Sequence, residues 1–182
     1  MDAFYIIDKV RLQKSPSSEG ENLIGIMADS HDNLLRIRQA IRLFAAHKCE
    51  LVIHAGDIVA PFSARELEAL GCPVKAVFGN CDGEKEGLEK ALRPFGQIQN
   101  PPLIFKHHGF RIILSHSNTL IESLLKFNQY DIIIIGHTHT PEIRKEKKHL
   151  FVNPGEAGGW VTGKSTVAVF DPKTQEAEII VL

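Results

Sequence analysis

The sequence predicts an α/β fold in which a largely parallel sheet comes first and antiparallel hairpins follow. Three observations lead there. Strand-like apolar runs alternate with helix-spaced segments through the first half of the chain, the pattern of right-handed crossovers onto parallel strands. Beyond Pro101-Pro102, strand pairs face each other across short turns. Asp131-Ile-Ile-Ile-Ile-Gly136 holds four consecutive isoleucines, too few for a membrane span and too β-branched for a comfortable helix, so it reads as a strand buried on both faces.

Residues 1–22 stand apart as an N-terminal extension and linker. Phe4-Tyr5-Ile6-Ile7 with Val10 and Leu12 can form a strand or a helical turn, and Ser15-Pro-Ser-Ser-Glu-Gly20 is a linker by composition. A single domain then spans 23–182. Leu23 to Ala28 is its first strand, breaking at Asp29-Ser-His-Asp-Asn33, where Asp32 or Asn33 caps a helix carrying Leu34, Ile37, Ile41 and Phe44 at helical spacing. Leu51 to His54 repeats the unit, followed by Ala55-Gly-Asp57 and a helix opened by Ser63-x-x-Glu66 and closed by Gly71. The third strand, Val74 to Phe78, ends in Gly79-Asn80-Cys81-Asp82, with a short helix around Leu88 to Leu92. Leu103 to Lys106 and Phe110 to Leu114 flank His107-His108-Gly109 as a hairpin, and Thr119-x-x-Glu122 caps a helix reaching Phe127. After the isoleucine strand, Glu142 to Lys145 pairs with Leu150 to Asn153, and Val167 to Phe170 with Ala177 to Leu182.

Composition bounds the partners. At 182 residues, 43% of them hydrophobic, the chain can bury one sizeable core. A net charge of −1 from well-mixed residues leaves no strong nucleic-acid footprint of the kind that grips phosphates by bulk charge. Three cysteines, an odd number without C-x-x-C spacing, and no run resembling a signal peptide or a membrane span make a reducing, cytoplasmic setting the expectation.

The chemistry lies at the strand ends. Asp29 and His31, Asp57, Asn80, His116, then His137 and His139 each follow an apolar strand. Loops at the carboxyl ends of an open α/β sheet converge on one crevice, so these seven side chains are expected to meet. Mixed carboxylate, imidazole and carboxamide donors suit Mn, Fe, Zn, Ni or Co better than calcium, and seven are natural for two sites sharing one carboxylate.

The ordered set Asp29-x-His31, Gly56-Asp57, Gly79-Asn80-x-Asp82, His116 and Gly136-His137-x-His139 resembles the calcineurin-like metallophosphoesterases, in particular the small phosphodiesterase branch related to Vps29. The resemblance covers residues 23–182. It implies a two-sheet β-sandwich of mixed sheets flanked by helices, and two divalent transition-metal ions per chain, manganese first among the choices. Asp29, His31 and His139 would hold one ion, and Asn80, His116 and His137 the other. Asp57 would bridge them. The reaction implied is hydrolysis of a phosphodiester by a two-metal mechanism with a metal-bridging hydroxide as nucleophile. Asp57, Asn80, Cys81 and His116 would sit at the reacting centre, Asn80 both ligating and donating towards the phosphate. Small-molecule diesters, nucleotides included, would be the substrates, and exposed strand edges leave room for a homo-oligomer.

Three departures from the wider family bear on specificity. Cys81 stands where phosphomonoesterases carry a histidine, and a thiol is a poor proton donor to a leaving group. Ser117 replaces a common glycine after His116. Glu156 stands where close relatives carry serine, and a carboxylate at the crevice mouth would repel highly charged substrates, favouring diesters over monoesters. Asp82 reads as a supporting residue, and His47, His54, His107, His108 and His149 as core or surface histidines. The alternatives are a phosphomonoesterase or a non-catalytic, Vps29-like protein-binding scaffold.

Overall fold

The computed structural model describes residues 22–119 and 129–182. The N-terminal extension and the helix expected from Thr119 to Phe127 lie outside the described residues, save their last and first positions. Eleven strands among these residues form two mixed sheets. Strands β1 (Ile24–Met27), β2 (Leu51–His54), β3 (Val74–Val77) and β4 (Gly96–Gln99) run parallel, extended by antiparallel β10 (Thr166–Asp171) and β11 (Glu176–Val181) in the order β11-β10-β1-β2-β3-β4. The other sheet has the order β5-β6-β7-β9-β8, from β5 (Leu103–His107), β6 (Phe110–Leu114), β7 (Ile132–Ile134), β8 (Pro141–Glu146) and β9 (His149–Pro154). Within it, β6, β7 and β9 are parallel, and β5 and β8 close the edges as hairpin partners.

Side-chain alternation explains the layers. Ile24 and Ile26, Leu51 and Ile53, Ile112 and Leu114, and Ile132 and Ile134 meet between the sheets. Met27 and Val52 face the opposite way, under Ile37, Ile41 and Phe44 of α1 (Leu34–Ala46) and Leu88 and Leu92 of α3 (Lys85–Leu92). Ile133 and Ile135 pack with Tyr130 and Phe151 on the outer side of the second sheet. The isoleucine run is therefore buried on both faces, as its composition predicts.

Of the two cap candidates, Asn33 caps α1, accepting from the Arg36 amide at 3.3 Å. Two local expectations are amended. Helix α2 (Pro61–Glu66) begins before Ser63: extended Ala60 precedes Pro61, whose fixed φ suits the first helical position. Ser63 instead sits inside the helix and donates to Asp32 Oδ1 at 2.6 Å. A 3-10 turn, Leu67–Leu70, then ends at Gly71 in the left-handed conformation, as expected. Strand β4 has little sequence signal, because Gln97, Ile98 and Gln99 offer one buried apolar residue between two exposed glutamines. It is an edge strand and needs no continuous apolar run. None of the cysteines is paired, and no helix among the described residues is long and apolar enough to cross a membrane.

Candidate metal centre

Five of the parallel strands deliver polar residues from their carboxyl ends to one place. β1 leads to Asp29 and His31, β2 to Asp57, β3 to Asn80, β6 to His116, and β7 to His137 and His139. All seven predicted ligand positions come together in two groups. In the first, His139 Nε2 lies 3.6 Å and His31 Nε2 3.9 Å from Asp29 Oδ1. In the second, His116 Nε2 lies 2.8 Å and His137 Nδ1 3.0 Å from Asn80 Oδ1, with 3.2 Å between the two nitrogens. Asp57 Oδ2 stands between the groups, 3.6 Å from His31 Nε2 and 3.5 Å from His116 Nε2.

Backbone strain builds this arrangement. Asp29, His31, Asp57, His137 and His139 have φ values of 51°, 41°, 59°, 71° and 59°, in the left-handed region that costs a non-glycine residue roughly 1–2 kcal/mol each. Hydrogen bonds between the loops hold them there. The Asp29 amide donates to Gly56 O at 3.0 Å and the His31 amide to Asp57 O at 3.1 Å. Buried Asp82 clasps the second and third loops, accepting from the amides of Asp57 (3.0 Å), Gly79 (2.7 Å) and Val59 (2.7 Å). This matches its expected supporting role. At two glycines the backbones must pass closely. A Cβ on Gly79 would lie 2.1 Å from Asp57 Oδ1, and one on Gly136 2.9 Å from both Ala28 Cβ and Asp29 Oδ2.

Protonation follows from the partners. His116 Nδ1 lies 2.9 Å from the Ala55 carbonyl, which can only accept, so the proton sits on Nδ1 and Nε2 presents a lone pair. Burial also lowers the pKa of this imidazole, favouring the neutral ring. His139 Nδ1 faces Glu156 Oε2 at 3.1 Å, which turns its Nε2 lone pair towards Asp29. Asp29 Oδ1 and His31 Nε2 are buried without a hydrogen-bond partner, and burial pushes the Asp29 carboxyl up to about 7. Lone pairs of oxygen and nitrogen thus face one another at close range, and a divalent cation satisfies such a set. The residues present fit the metal ions that the donor chemistry implies.

Glu156 corrects the sequence reading. It is fully buried rather than at the crevice mouth, and its carboxylate accepts from Thr162 Oγ1 at 2.6 Å, from the Val161 and Thr162 amides, and from His139. Although burial opposes ionisation, these donors hold its carboxyl down to about 2. Glu156 orients His139 and cannot screen substrates. No local motif announces that role. Cys81 is exposed at the rim, its Sγ within 4.8 Å of a His31 ring nitrogen and an Asp57 oxygen. Burial of its sulfur and the Asp57 carboxylate raise the thiol pKa, so it stays protonated. Its amide donates to Asp57 Oδ1 at 2.8 Å. His54 is a core histidine, 3.1 Å from Ser30 Oγ.

Beside the second group opens a crevice of about 360 Å³, lined by Phe78, Lys85, Asn100, His116, Ser117 and His137 among others. Lys85 Nζ donates to Asn100 Oδ1 at 3.0 Å and lies 5.1 Å from the centre of the Phe78 ring. Neither Lys85 nor Asn100 belongs to a motif, so the sequence carries no local signal for either.

A calcineurin-like phosphoesterase superfamily domain model matches residues 23–175. The chain is 35% identical over 163 residues to the phosphodiesterase MJ0936 of Methanocaldococcus jannaschii, covering 87% of this chain and 98% of that protein. It is 28% identical to the phosphodiesterase YfcE of Escherichia coli K12, over 70% of this chain and 75% of that one. A solved structure of an archaeal phosphodiesterase superposes with a TM-score of 0.84 at 34% identity, covering 88% of this chain and 99% of the other. Vps29 of Chaetomium thermophilum shares the fold at a TM-score of 0.65 and 18% identity, over 83% of this chain and 80% of that one.

Proposed function

The chain belongs to the calcineurin-like phosphoesterase superfamily, and from that premise we propose that it is a dinuclear metal-dependent phosphodiesterase. Asp29, His31 and His139 would hold one ion, Asn80, His116 and His137 the other, with Asp57 shared between them. The observation that carries this reading is the position of Asp57 Oδ2, nearly equidistant from His31 and His116. Two divalent ions so held, manganese first among the candidates, would supply activation of water and neutralisation of the phosphate's charge.

The chain's own residues supply the rest. Ala55 and Glu156 fix the tautomers of His116 and His139, so both rings offer lone pairs without rearranging. The Asn80 amide NH2 donates to Cys81 Sγ at 3.2 Å and has a second hydrogen that would be offered to a phosphoryl oxygen. Lys85 places a positive charge in the crevice, where the organic part of a diester with its own acceptors, such as a nucleotide, would lie. Cys81, held protonated and weakly acidic, gives little help to a leaving oxygen. Esters with stable leaving groups are therefore the better substrates, and aryl diesters should outpace alkyl ones.

The test is hydrolysis of a paired aryl phosphodiester and aryl phosphomonoester by metal-stripped protein, with and without added manganese. The expected result is no turnover without metal, restored turnover with it, and preference for the diester. A folded, metal-loaded protein that cleaved neither ester would overturn the reading and favour a Vps29-like scaffold.

A further inference from the structure

Two histidines that the sequence leaves as core or surface residues meet a carboxylate far from the centre above. His107 Nε2 lies 2.6 Å from Glu50 Oε1, and His108 Nε2 bonds the same oxygen. The donor atoms of all three lie within 4.8 Å of one another, and the two rings stand edge to face, 4.5 Å between centroids and 72° between planes. We propose that Glu50, His107 and His108 form a separate metal site for a zinc-type ion, with water completing the shell.

Position and conformation support ligation over a plain ion pair. His108 and Gly109 are the central residues of the β5–β6 turn, with φ of 46° and 82°. A turn with both central φ values positive favours Asn, Asp or Gly at its first central position, so His108 costs the hairpin stability that its backbone role does not explain. Two imidazole nitrogens converge on a single oxygen, although Glu50 offers two. Tetrahedral zinc holds nitrogen and oxygen ligands roughly 3.3–3.5 Å apart, which these side chains reach by opening about 1 Å. The side chains are 27%, 33% and 33% exposed, so an ion can enter.

The site is remote from the phosphoesterase centre. Glu50 precedes β2 and Asp57 follows it, while His107 and His108 precede β6 and His116 follows it. The strand rise places the two sites roughly 15–20 Å apart, at opposite ends of the sheets. Glu50 enters the first sheet, its amide bonded to Leu23 O, and the histidines end a hairpin of the second. An ion there ties the two sheets together and stabilises the fold by mass action.

The probe is zinc itself. Wild-type protein and His108→Asn are dialysed against buffered micromolar free zinc, and bound metal is counted by mass spectrometry. Asparagine suits the left-handed turn, so the hairpin is kept. The expected result is one fewer zinc per chain in the variant, with unchanged diesterase activity, and Glu50→Gln losing the same single equivalent. Loss of a direct ligand should weaken the site by at least the roughly 10–100-fold that loss of an outer partner costs. Because the readout is a difference, it stands however many ions the other centre holds. Equal counts in wild type and both variants, or binding only at millimolar zinc, would overturn the proposal.

Discussion

The two halves of the candidate metal centre are built differently. The first gathers Asp29, fully buried, with His31 and His139, and backs them with the buried carboxylate of Glu156. The second offers only neutral donors, Asn80, His116 and His137, and opens on the crevice with Lys85. Both share Asp57. On the proposed reading, negative charge and burial would make the first half the tighter holder of a cation. The second half has one shared carboxylate and solvent access, so an ion there would exchange more readily and would be the one to meet the substrate. A single cluster would then separate holding from handling.

Removing what the halves share should have the largest effect. Asp57→Asn is expected to lose both ions and nearly all turnover, well beyond the roughly 10–100-fold cost of losing an outer partner; a metallated, active variant would remove the bridge from the account. Splitting the halves comes next. His137→Ala should bind one ion and lose turnover, whereas wild type under graded chelation should give up one ion well before the other. If His137→Ala loses both ions together, the asymmetry is wrong. Glu156→Gln touches only the first half, through His139, and should weaken its metal affinity by roughly 10–100-fold, with activity recovered at high metal. Failure of added metal to restore rate would assign Glu156 a structural role alone.

The smallest effect at neutral pH concerns His54, beneath Ser30 of the first loop. Burial lowers its pKa from 6.5 to about 4. The unfolded chain then binds the extra proton between those values, so this contribution is full above about 6.5 and falls as pH drops towards 4, by about 3 kcal/mol in total. His54→Gln should flatten the acid side of a Tm-against-pH curve while leaving metal content unchanged. An unaltered slope would mean that another group titrates.

What the sequence made legible follows the same division. Candidate ligands at the ends of apolar strands announce themselves because both the strand and the interruption are local, and the fold brings all seven side chains close together. The isoleucine strand and the hairpins were legible for the same reason. Pro61 carried a readable signal for the start of α2, but the Ser63-x-x-Glu66 spacing competed with it. Glu156 was misplaced because its partners, Val161, Thr162 and His139, are set by how a loop folds back. Glu50 with His107 and His108 lies further out of reach, since 57 residues separate the first two and only the packing of the two sheets joins them.

Strand β1 sits between β2 and β10, so its hydrogen-bonding edge on one side is completed only by residues 166–171. During synthesis at roughly 5–20 residues per second, that edge waits on the order of ten seconds or more for its partner. The nascent chain meanwhile carries Asp29, His31 and Asp57 with no Glu156 to brace the centre. Until residues 166–171 are made, the Ile24–Met27 edge stays unpaired, and a bare strand edge of that kind is a template for misassembly.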